Sequence, residues 1–382
     1  MKIGFLFNHE AQHQIAHTAP IIDAMVEMDA GADVAVLTSS LAQEQRVREL
    51  LAPQVVARVR FVRLKTGWRT RLSERVAALG PFRRLGMLRD NLDSFRELEA
   101  LVVPETTSAL LRTRFGLKDL KLIYLPHGSG DRSVGFRGVT GVFNLVLVAG
   151  RKVRDRMLAA GIIREEGHAI VGYPKFDTID LGARPRFFED DKPVVLYNPH
   201  FDPMLSSWFD AGRQLIEWFA GQDRYNLIVA PHVMLFQRRL HASVEHRRVR
   251  LRKDMPARYL DLPNVRIDTG SIHSVDMSYT RAADIYIGDA SSQIYEWIVR
   301  PRPAIFLNPH RLKWQGDPNF AHWELGEVIE DLAELPGALE RAVEQPDRFA
   351  NVQRQAFENT FSLTDEPSSR RAAKAILAYL HR

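Results

Sequence analysis

Short apolar, β-branched runs recur along the chain, and segments of helical period stand between most of them. Lys2 to Phe7 opens the series and Asp33 to Leu37 follows, with Pro20 to Met28 reading as a helix between them. Leu101 to Val103, Leu122 to Leu125, Val146 to Val148 and Ala169 to Val171 continue it, with expected helices at Thr106 to Phe115 and Lys152 to Ala160. Runs this short, apolar throughout rather than alternating, suit strands buried on both faces, and their alternation with helices predicts a parallel sheet. A charged stretch from about Leu181 to Lys192, carrying Pro185, reads as a linker. The pattern then restarts. Pro193 to Tyr197, Asn226 to Ala230, Val265 to Asp268, Ile285 to Ile287 and Ala304 to Leu307 are the expected strands of a second parallel sheet. Asp210 to Phe219, Ser274 to Ala283, Gln293 to Val299, Gly337 to Val343, Asp347 to Asn359 and Ser369 to His381 are its expected helices. The expected organisation is therefore two doubly wound domains, 1–180 and 192–365, followed by a C-terminal helix, 366–382.

Open α/β sheets bind ligands at the carboxyl ends of their strands, so the residues just after each run matter most. In Asp284 to Arg300 a strand passes through Gly288, Asp289, Ala290, Ser291 and Ser292 into a helix, with Ser291 as a candidate N-cap. Free backbone N–H groups and the helix dipole favour an anion there, and Glu296 lies one turn beyond Ser292 on the same face. A helix start has a structural use whether or not anything binds, so the stretch alone does not choose between the two. Other expected strand ends carry His127 in a glycine-rich loop, Pro126 to Gly135, His200 and Asp202 in NPHFD, and Pro231-His232. The glycine spacing is not that of a dinucleotide site, and no P-loop occurs. After the first strand His9, Glu10 and His13 spell H-E-x-x-H, with His17 as a conceivable third zinc ligand. That motif belongs on a helix, whereas its place here favours a polar loop, with His9 touching an acceptor.

Composition narrows the class. The 382 residues are 45% hydrophobic and 26% charged, as in ordinary globular proteins, and contain no cysteine, which excludes disulfides and thiolate chemistry. No apolar run approaches a membrane span, and the apolar part of MKIGFLFNHE is short for a signal peptide, so a cytoplasmic protein is expected. A net charge of +5 suits an anionic partner. The charge is concentrated. Arg63 to Arg89 holds eight basic residues against Glu74, with Trp68, Leu72, Val76, Leu79, Phe82, Leu85 and Leu88 at helical spacing. Two short basic helices split at Gly80-Pro81 fit an anionic membrane surface or polymer, or equally a solvated face. A second basic run, Arg238 to Lys253, reads as a loop or helix. Glu189, Asp190 and Asp191 form an acidic turn with weak metal-binding character.

PHGSG at Pro126 to Gly130, GYPKFD at Gly172 to Asp177, APH at Ala230 to His232 and GDASSQIYE at Gly288 to Glu296 form an ordered set. Over roughly Leu122 to Pro309 the set resembles the CDP-glycerol glycerophosphotransferase family, which includes teichoic-acid polymerases and primases. The departures are Ser129 for Thr, Lys175 for Arg and Ala290 for Tyr; they leave the polyol and the base of the donor open. The resemblance implies an α/β fold of two Rossmann-like domains facing across a cleft, the GT-B arrangement. It implies transfer of a polyol phosphate, glycerol phosphate being the expected one, from a CDP-linked donor to a lipid-linked or glycan hydroxyl, with CMP leaving. His127 is then the general base, with Asp131 orienting it or positioning the acceptor. His232, Ser291, Ser292, Asp289, Lys175 and Pro231 belong to the donor phosphates, Glu296 to its ribose, and His9 and Arg132 to the acceptor side. No metal, other cofactor or nucleic acid is expected, and the inner face of the plasma membrane is the expected peripheral location. Two rivals stay open: a nucleotide-sugar glycosyltransferase or epimerase of the same fold, and a silent module that binds an anionic polymer or membrane.

Overall fold

The computed structural model describes residues 1–9, 14–68, 70, 82–243, 246–260 and 262–382. Glu10 and His13 of the zinc-like motif, and Arg69, Arg71 and Arg75 of the first basic segment, lie outside the described residues. The chain forms two compact units: 1–129 with 134–180 and 358–382, and 130–133 with 181–357.

The first unit is built on a seven-stranded parallel sheet. Its strands are β1 (Lys2–Phe7), β2 (Asp33–Thr38), β3 (Arg60–Arg63), β4 (Ala100–Val103), β5 (Lys121–Tyr124), β6 (Leu145–Val148) and β7 (His168–Ile170), in the order β3-β2-β1-β4-β5-β6-β7. Alternate residues serve opposite faces. Ile3, Phe5 and Phe7 of β1 and Ala100 and Val102 of β4 pack with the Ile15–Met28 helix, which extends the expected Pro20 to Met28 toward the N-terminus. Leu6, Leu101 and Val103 pack the other face with Met87 and Leu88 of the Phe82–Asp90 helix. Both faces are thus covered, which is why the strands read as unbroken apolar runs. His17 packs in this core: it is 4% exposed and lies edge-on to Tyr173 at 4.9 Å.

The second unit has a six-stranded parallel sheet: β8 (Val194–Asn198), β9 (Asn226–Val229), β12 (Val265–Ile267), β13 (Ile285–Gly288), β14 (Ala304–Leu307) and β15 (Glu327–Ile329), in the order β12-β9-β8-β13-β14-β15. Between β9 and β12 the basic run forms an antiparallel hairpin, β10 (Leu240–Ser243) with β11 (Arg248–Leu251), not the loop or helix expected. The expected Ser274 to Ala283 helix is broken as well. Met277 is left-handed, with φ 66°, and only Ser278–Ala282 is α-helical.

The expected boundaries move in two places. The Ser368–Leu380 helix returns to the first unit, where Ala372, Ala373 and Ile376 share a core with Ile3 and Phe5. GYPKFD seats it. The Asp177 carboxylate accepts from Ser368 N at 3.2 Å and Ser369 N at 2.6 Å, and Tyr173 N donates to Ser368 Oγ. Gly172 has φ 86°, and a Cβ there would stand 2.3 Å from Ser368 Oγ, so the close approach needs glycine. The second change is the four-residue segment 130–133, which belongs to the second unit although the chain on both sides of it belongs to the first.

Candidate active site

In each sheet the chain runs outward in one direction and then restarts beside its first strand. The switch falls between β1 and β4 in the first unit and between β8 and β13 in the second. Sheets of this kind bind ligands outside the carboxyl ends at such a switch, and the histidines stand at the carboxyl ends of the strands.

In the first unit His9 follows β1, Glu105 follows β4 and His127 follows β5. The rings of His9 and His127 are 6.2 Å apart. His127 Nδ1 lies 2.8 Å from the Pro104 carbonyl, an acceptor only, so Nδ1 carries the proton. The neutral ring then has its lone pair on Nε2, where the Gln14 amide donates at 3.0 Å. Surrounding protein that keeps water from the charged form lowers the His127 pKa, and the Arg84 guanidinium lowers it further, against the Pro104 carbonyl and the Glu105 carboxylate. The ring keeps an exposed face, so bulk water also reaches it. Burial, Arg84 and His127 together push His9 down to about 3. Both rings are therefore neutral near pH 7, the state a general base requires. Arg84 is half-buried at this edge and reaches Thr107 Oγ1 at 3.4 Å; it is not on a solvated basic face.

In the second unit the cluster is larger. His200 follows β8 and His232 follows β9, with ring centroids 5.4 Å apart and Phe201 against both. His200 Nδ1 accepts Asp202 N–H at 3.0 Å, and His232 Nδ1 accepts Met234 N–H at 3.2 Å. Each backbone donor forces the ring proton onto Nε2, which makes two Nε2–H donors. Burial first, then His232, Arg132 and His322, hold the His200 imidazole well below its usual value. Asp131 and Arg132, expected with His127 and the acceptor, belong to this second unit. Asp131 is buried; its Oδ2 accepts from Tyr295 Oη at 2.6 Å and His322 N at 3.1 Å, and faces His322 Nδ1 at 3.2 Å. Gly130 lies against Ser292, whose Cβ would be 2.9 Å from a Cβ at 130.

The β13 turn divides its labour. Asp289 is fully buried: Oδ1 accepts from His200 N and Ala290 N, and Oδ2 from Ser207 N and Oγ, all at 2.7–2.9 Å. Burial raises its pKa to about 6 despite those bonds. This carboxylate therefore ties the ends of β8 and β13 together and is not a direct phosphate ligand. Ser291 Oγ accepts Gln293 N–H at 3.3 Å, but the N-cap of the Gln293–Trp297 helix is Ser292, not Ser291 as expected. Ser292 is exposed and Glu296 is 7% exposed. Pro231 is buried, and its neighbour Ala230 accepts from Asn198 Nδ2. Lys175 is 4% exposed on the Pro174–Thr178 turn of the first unit, beside the seat of the last helix. In the acidic turn Asp190 is engaged with Asn226 and Lys192, and Asp191 with Arg186.

Two Rossmann-like domains with histidines at their strand ends make a GT-B-like fold, and structural comparison agrees. MnaA of S. aureus, solved with UDP, superposes with TM-score 0.60 at 13% identity, over 100% of this chain and 97% of that one. A variant of the wall teichoic acid polymerase TagF gives 0.62 at 11% identity, over 100% and 89%. UDP-GlcNAc 2-epimerase from Neisseria meningitidis, bound to UDP-GlcNAc, gives 0.59 at 11%, over 100% of both chains. At such identities the likeness is one of fold. No curated relative matches the chain. The family is carried by the sequence: residues 140–378 match the CDP-glycerol:poly(glycerophosphate) glycerophosphotransferase family, and the chain belongs to it. It is a CDP-glycerol glycerophosphotransferase-like enzyme. The matched span includes His200, His232, Ser291, Glu296 and His322 and begins after His127.

Four residues in these clusters escaped sequence reasoning. Gln14 and Arg84 had no motif. His200 was placed at a strand end without a role. His322 sits in the Ala321–Leu325 turn, which no hydrophobic pattern marks.

Proposed function

We propose that this enzyme transfers glycerol phosphate from CDP-glycerol to a hydroxyl of a cell-surface glycan, polymer or lipid-linked acceptor. The acceptor oxygen bonds to the β-phosphorus, the bond from that phosphorus to the bridging oxygen breaks, and CMP leaves with the electron pair. The acceptor proton goes to His127 Nε2, from which the Gln14 amide withdraws. His200 and His232 donate through Nε2–H to the diphosphate, Arg132 and Ser291 add donors, and Glu296 accepts from the ribose diol. Donors held in place by the fold need no reorganisation as charge builds on the leaving oxygen. The observation that carries this reading is the pair of Nε2–H histidines at the second unit's switch point, in a chain whose family uses a CDP-linked donor.

The test is CMP release from CDP-glycerol, followed with labelled glycerol, and its dependence on both histidines. His127→Ala should lose on the order of a hundredfold or more in turnover and still bind donor. His232→Ala should lose donor affinity and turnover together, because its contact exists in ground and transition states alike. Turnover of UDP-sugars but not CDP-glycerol would replace this reading with the glycosyltransferase or epimerase one. No affinity for either would leave a silent module. Activity should also survive exhaustive chelation, because fixed Nε2–H donors and the Arg132 guanidinium stand at the phosphates; loss restored by magnesium would refute that part.

The membrane-facing surface we propose is the β10–β11 hairpin. Leu240, Val249 and Leu251 are 61–67% exposed on it, amid exposed Arg239, Arg247 and Arg248. Aliphatic side chains ringed by cations fit an anionic bilayer. No helix among the described residues is long and apolar enough to cross one. Leu240→Ser with Val249→Ser and Leu251→Ser should abolish co-sedimentation with phosphatidylglycerol vesicles; unchanged co-sedimentation would refute the assignment.

A further inference from the structure

We propose that Tyr295 is a positioning residue for the donor: through the buried Asp131 carboxylate it fixes the segment 130–133 and so presents the Arg132 guanidinium to the donor phosphates. This rests on the donor reading above, in which Arg132 is one of the groups that bind the diphosphate.

The chain on both sides of 130–133 belongs to the first unit, so these residues are held in the second by contacts of their own. Those contacts fall on one helix and on the Ala321–Leu325 turn. Gly130 lies against the start of the Gln293–Trp297 helix, where a Cβ added to it would stand 2.9 Å from Ser292 Cβ. Asp131 comes next and is 4% exposed. Its Oδ2 accepts from Tyr295 Oη at 2.6 Å and from His322 N at 3.1 Å. Ser292 and Tyr295 share a face of the helix, and the Ser292 carbonyl accepts Tyr295 N–H at 3.1 Å. Successive residues of the segment are thus pinned along a single helix face.

Arg132 follows the pin. It is half-buried, and its charge bears on the His200 imidazole, so it stands beside the strand-end histidines as well as beside the helix start. A guanidinium sits at the end of a flexible stem, and an arginine on a free loop loses much conformational freedom when it grips an anion. Fixing the backbone one residue away removes part of that loss before the ligand arrives. The pin is charge-assisted. A carboxylate taken out of water needs its donors, and the Tyr295 phenol stands closer to it than either His322 nitrogen, at 3.1 and 3.2 Å. The same short helix carries Ser292 at its start and Glu296 next to Tyr295. One rigid element therefore sets the ribose contact directly and the Arg132 cation through Tyr295. The phenol itself is 3% exposed with its hydroxyl on Asp131, so it acts on the donor through the segment.

Donor affinity and its dependence on salt test this. Calorimetric titration with CDP-glycerol in a His127→Ala background measures binding without turnover. Arg132→Gln should bind roughly tenfold to a hundredfold weaker and, having lost a cationic contact, should show a shallower fall of affinity with salt. Tyr295→Phe keeps the ring and every formal charge. It should still bind roughly threefold to tenfold weaker and flatten the salt dependence, because the charge it displaces is that of Arg132. Tyr295→Phe combined with Arg132→Gln should bind no more weakly than Arg132→Gln alone, since both act through one contact. A merely structural phenol would weaken binding with an unchanged salt dependence and would add to Arg132→Gln. Either of those results overturns the proposal, as does undiminished affinity in Tyr295→Phe. Undiminished affinity in Arg132→Gln would remove Arg132 from the donor, and this proposal with it, while the histidine contacts stand. If CDP-glycerol fails to bind before any of these changes, the donor reading itself is refuted.

Discussion

Replacing Asp177 by Ala distinguishes a donor contact from a structural clasp at GYPKFD. The resemblance puts this segment with the donor, whereas the structure uses its aspartate to hold the Ser368–Leu380 helix. That helix begins after Pro367, with no side-chain cap of its own. Four N–H groups at a helix start need partners, and Asp177 satisfies two of them, at Ser368 and Ser369. Loss of one good cap costs about 1 kcal/mol, and a carboxylate at the positive end of the dipole adds a few tenths or more. Asp177 is exposed, so screening keeps the sum near the lower end, about 1–1.5 kcal/mol. With a urea slope of about 2–3 kcal/mol per molar, the midpoint of the first unit should fall by about 0.3–0.7 M, followed by circular dichroism. Asp177→Asn, which keeps one acceptor oxygen, should lose less. KM for the donor and kcat, measured where both variants are folded, should match wild type. A tenfold rise in KM with an unmoved midpoint would refute the clasp and return Asp177 to the donor.

Arg84→Gln removes a charge that opposes protonation of His127 and His9. The His127 pKa should rise, and because the base acts when neutral, the acid limb of kcat/KM should move to higher pH; an unmoved limb would separate Arg84 from the base. Asp289, raised from 3.8 to about 6, gives the opposite sign to a salt-bridged carboxylate. Its contribution to stability is full below about pH 4 and is lost as pH rises through 6, about 3 kcal/mol over the whole window. Asp289→Asn does not titrate, so wild type should lose stability relative to it between pH 4 and 7 in urea melts, and parallel curves would contradict the shift. Gly172→Ala should destabilise the first unit by roughly 1–3 kcal/mol through its left-handed backbone and the Ser368 contact, again leaving donor KM alone.

The parallel strands were legible because each is buried on two faces and bounded by turn residues. β3 was not: Arg60 and Arg63 flank its two apolar residues, and the strand lies at the sheet edge, half exposed. The β10–β11 hairpin hid for a related reason. Its pairing sets apolar residues outward and His241 and Ser243 inward, which inverts the pattern that marks a strand. Strand-end histidines were readable from position alone. Chain order puts Asp131 and Arg132 in the first half, and no local pattern shows that they belong to the second unit, where Asp131 meets Tyr295 and His322 and Arg132 acts on His200. Asp289 was recognised as important, but its four internal bonds come from residues 200, 207 and 290, and no local rule shows that a carboxylate is already satisfied.

The histidines of the two units are set to opposite tautomers by what faces Nδ1, and this gives a substitution test that does not rely on loss of function alone. At His127 a carbonyl holds the proton on Nδ1 and leaves Nε2 basic. At His200 a backbone N–H takes the Nδ1 lone pair and leaves Nε2–H as a donor. The amide nitrogen of Gln reaches roughly where Nε2 of histidine lies, and that of Asn roughly where Nδ1 lies. Gln at 200 can therefore still donate to a phosphate, whereas Asn at 200 brings a donor or a shorter acceptor to the Asp202 N–H and nothing to the ligand. His200→Gln should keep donor affinity within about tenfold of wild type, a neutral hydrogen bond replacing another. His200→Asn should lose more. At 127 neither amide helps, since Asn keeps the Pro104 bond but has no basic lone pair, so both should be inactive while binding CDP-glycerol. Equal donor affinity for the Gln and Asn variants at 200 would show that His200 Nε2 makes no contact with the diphosphate.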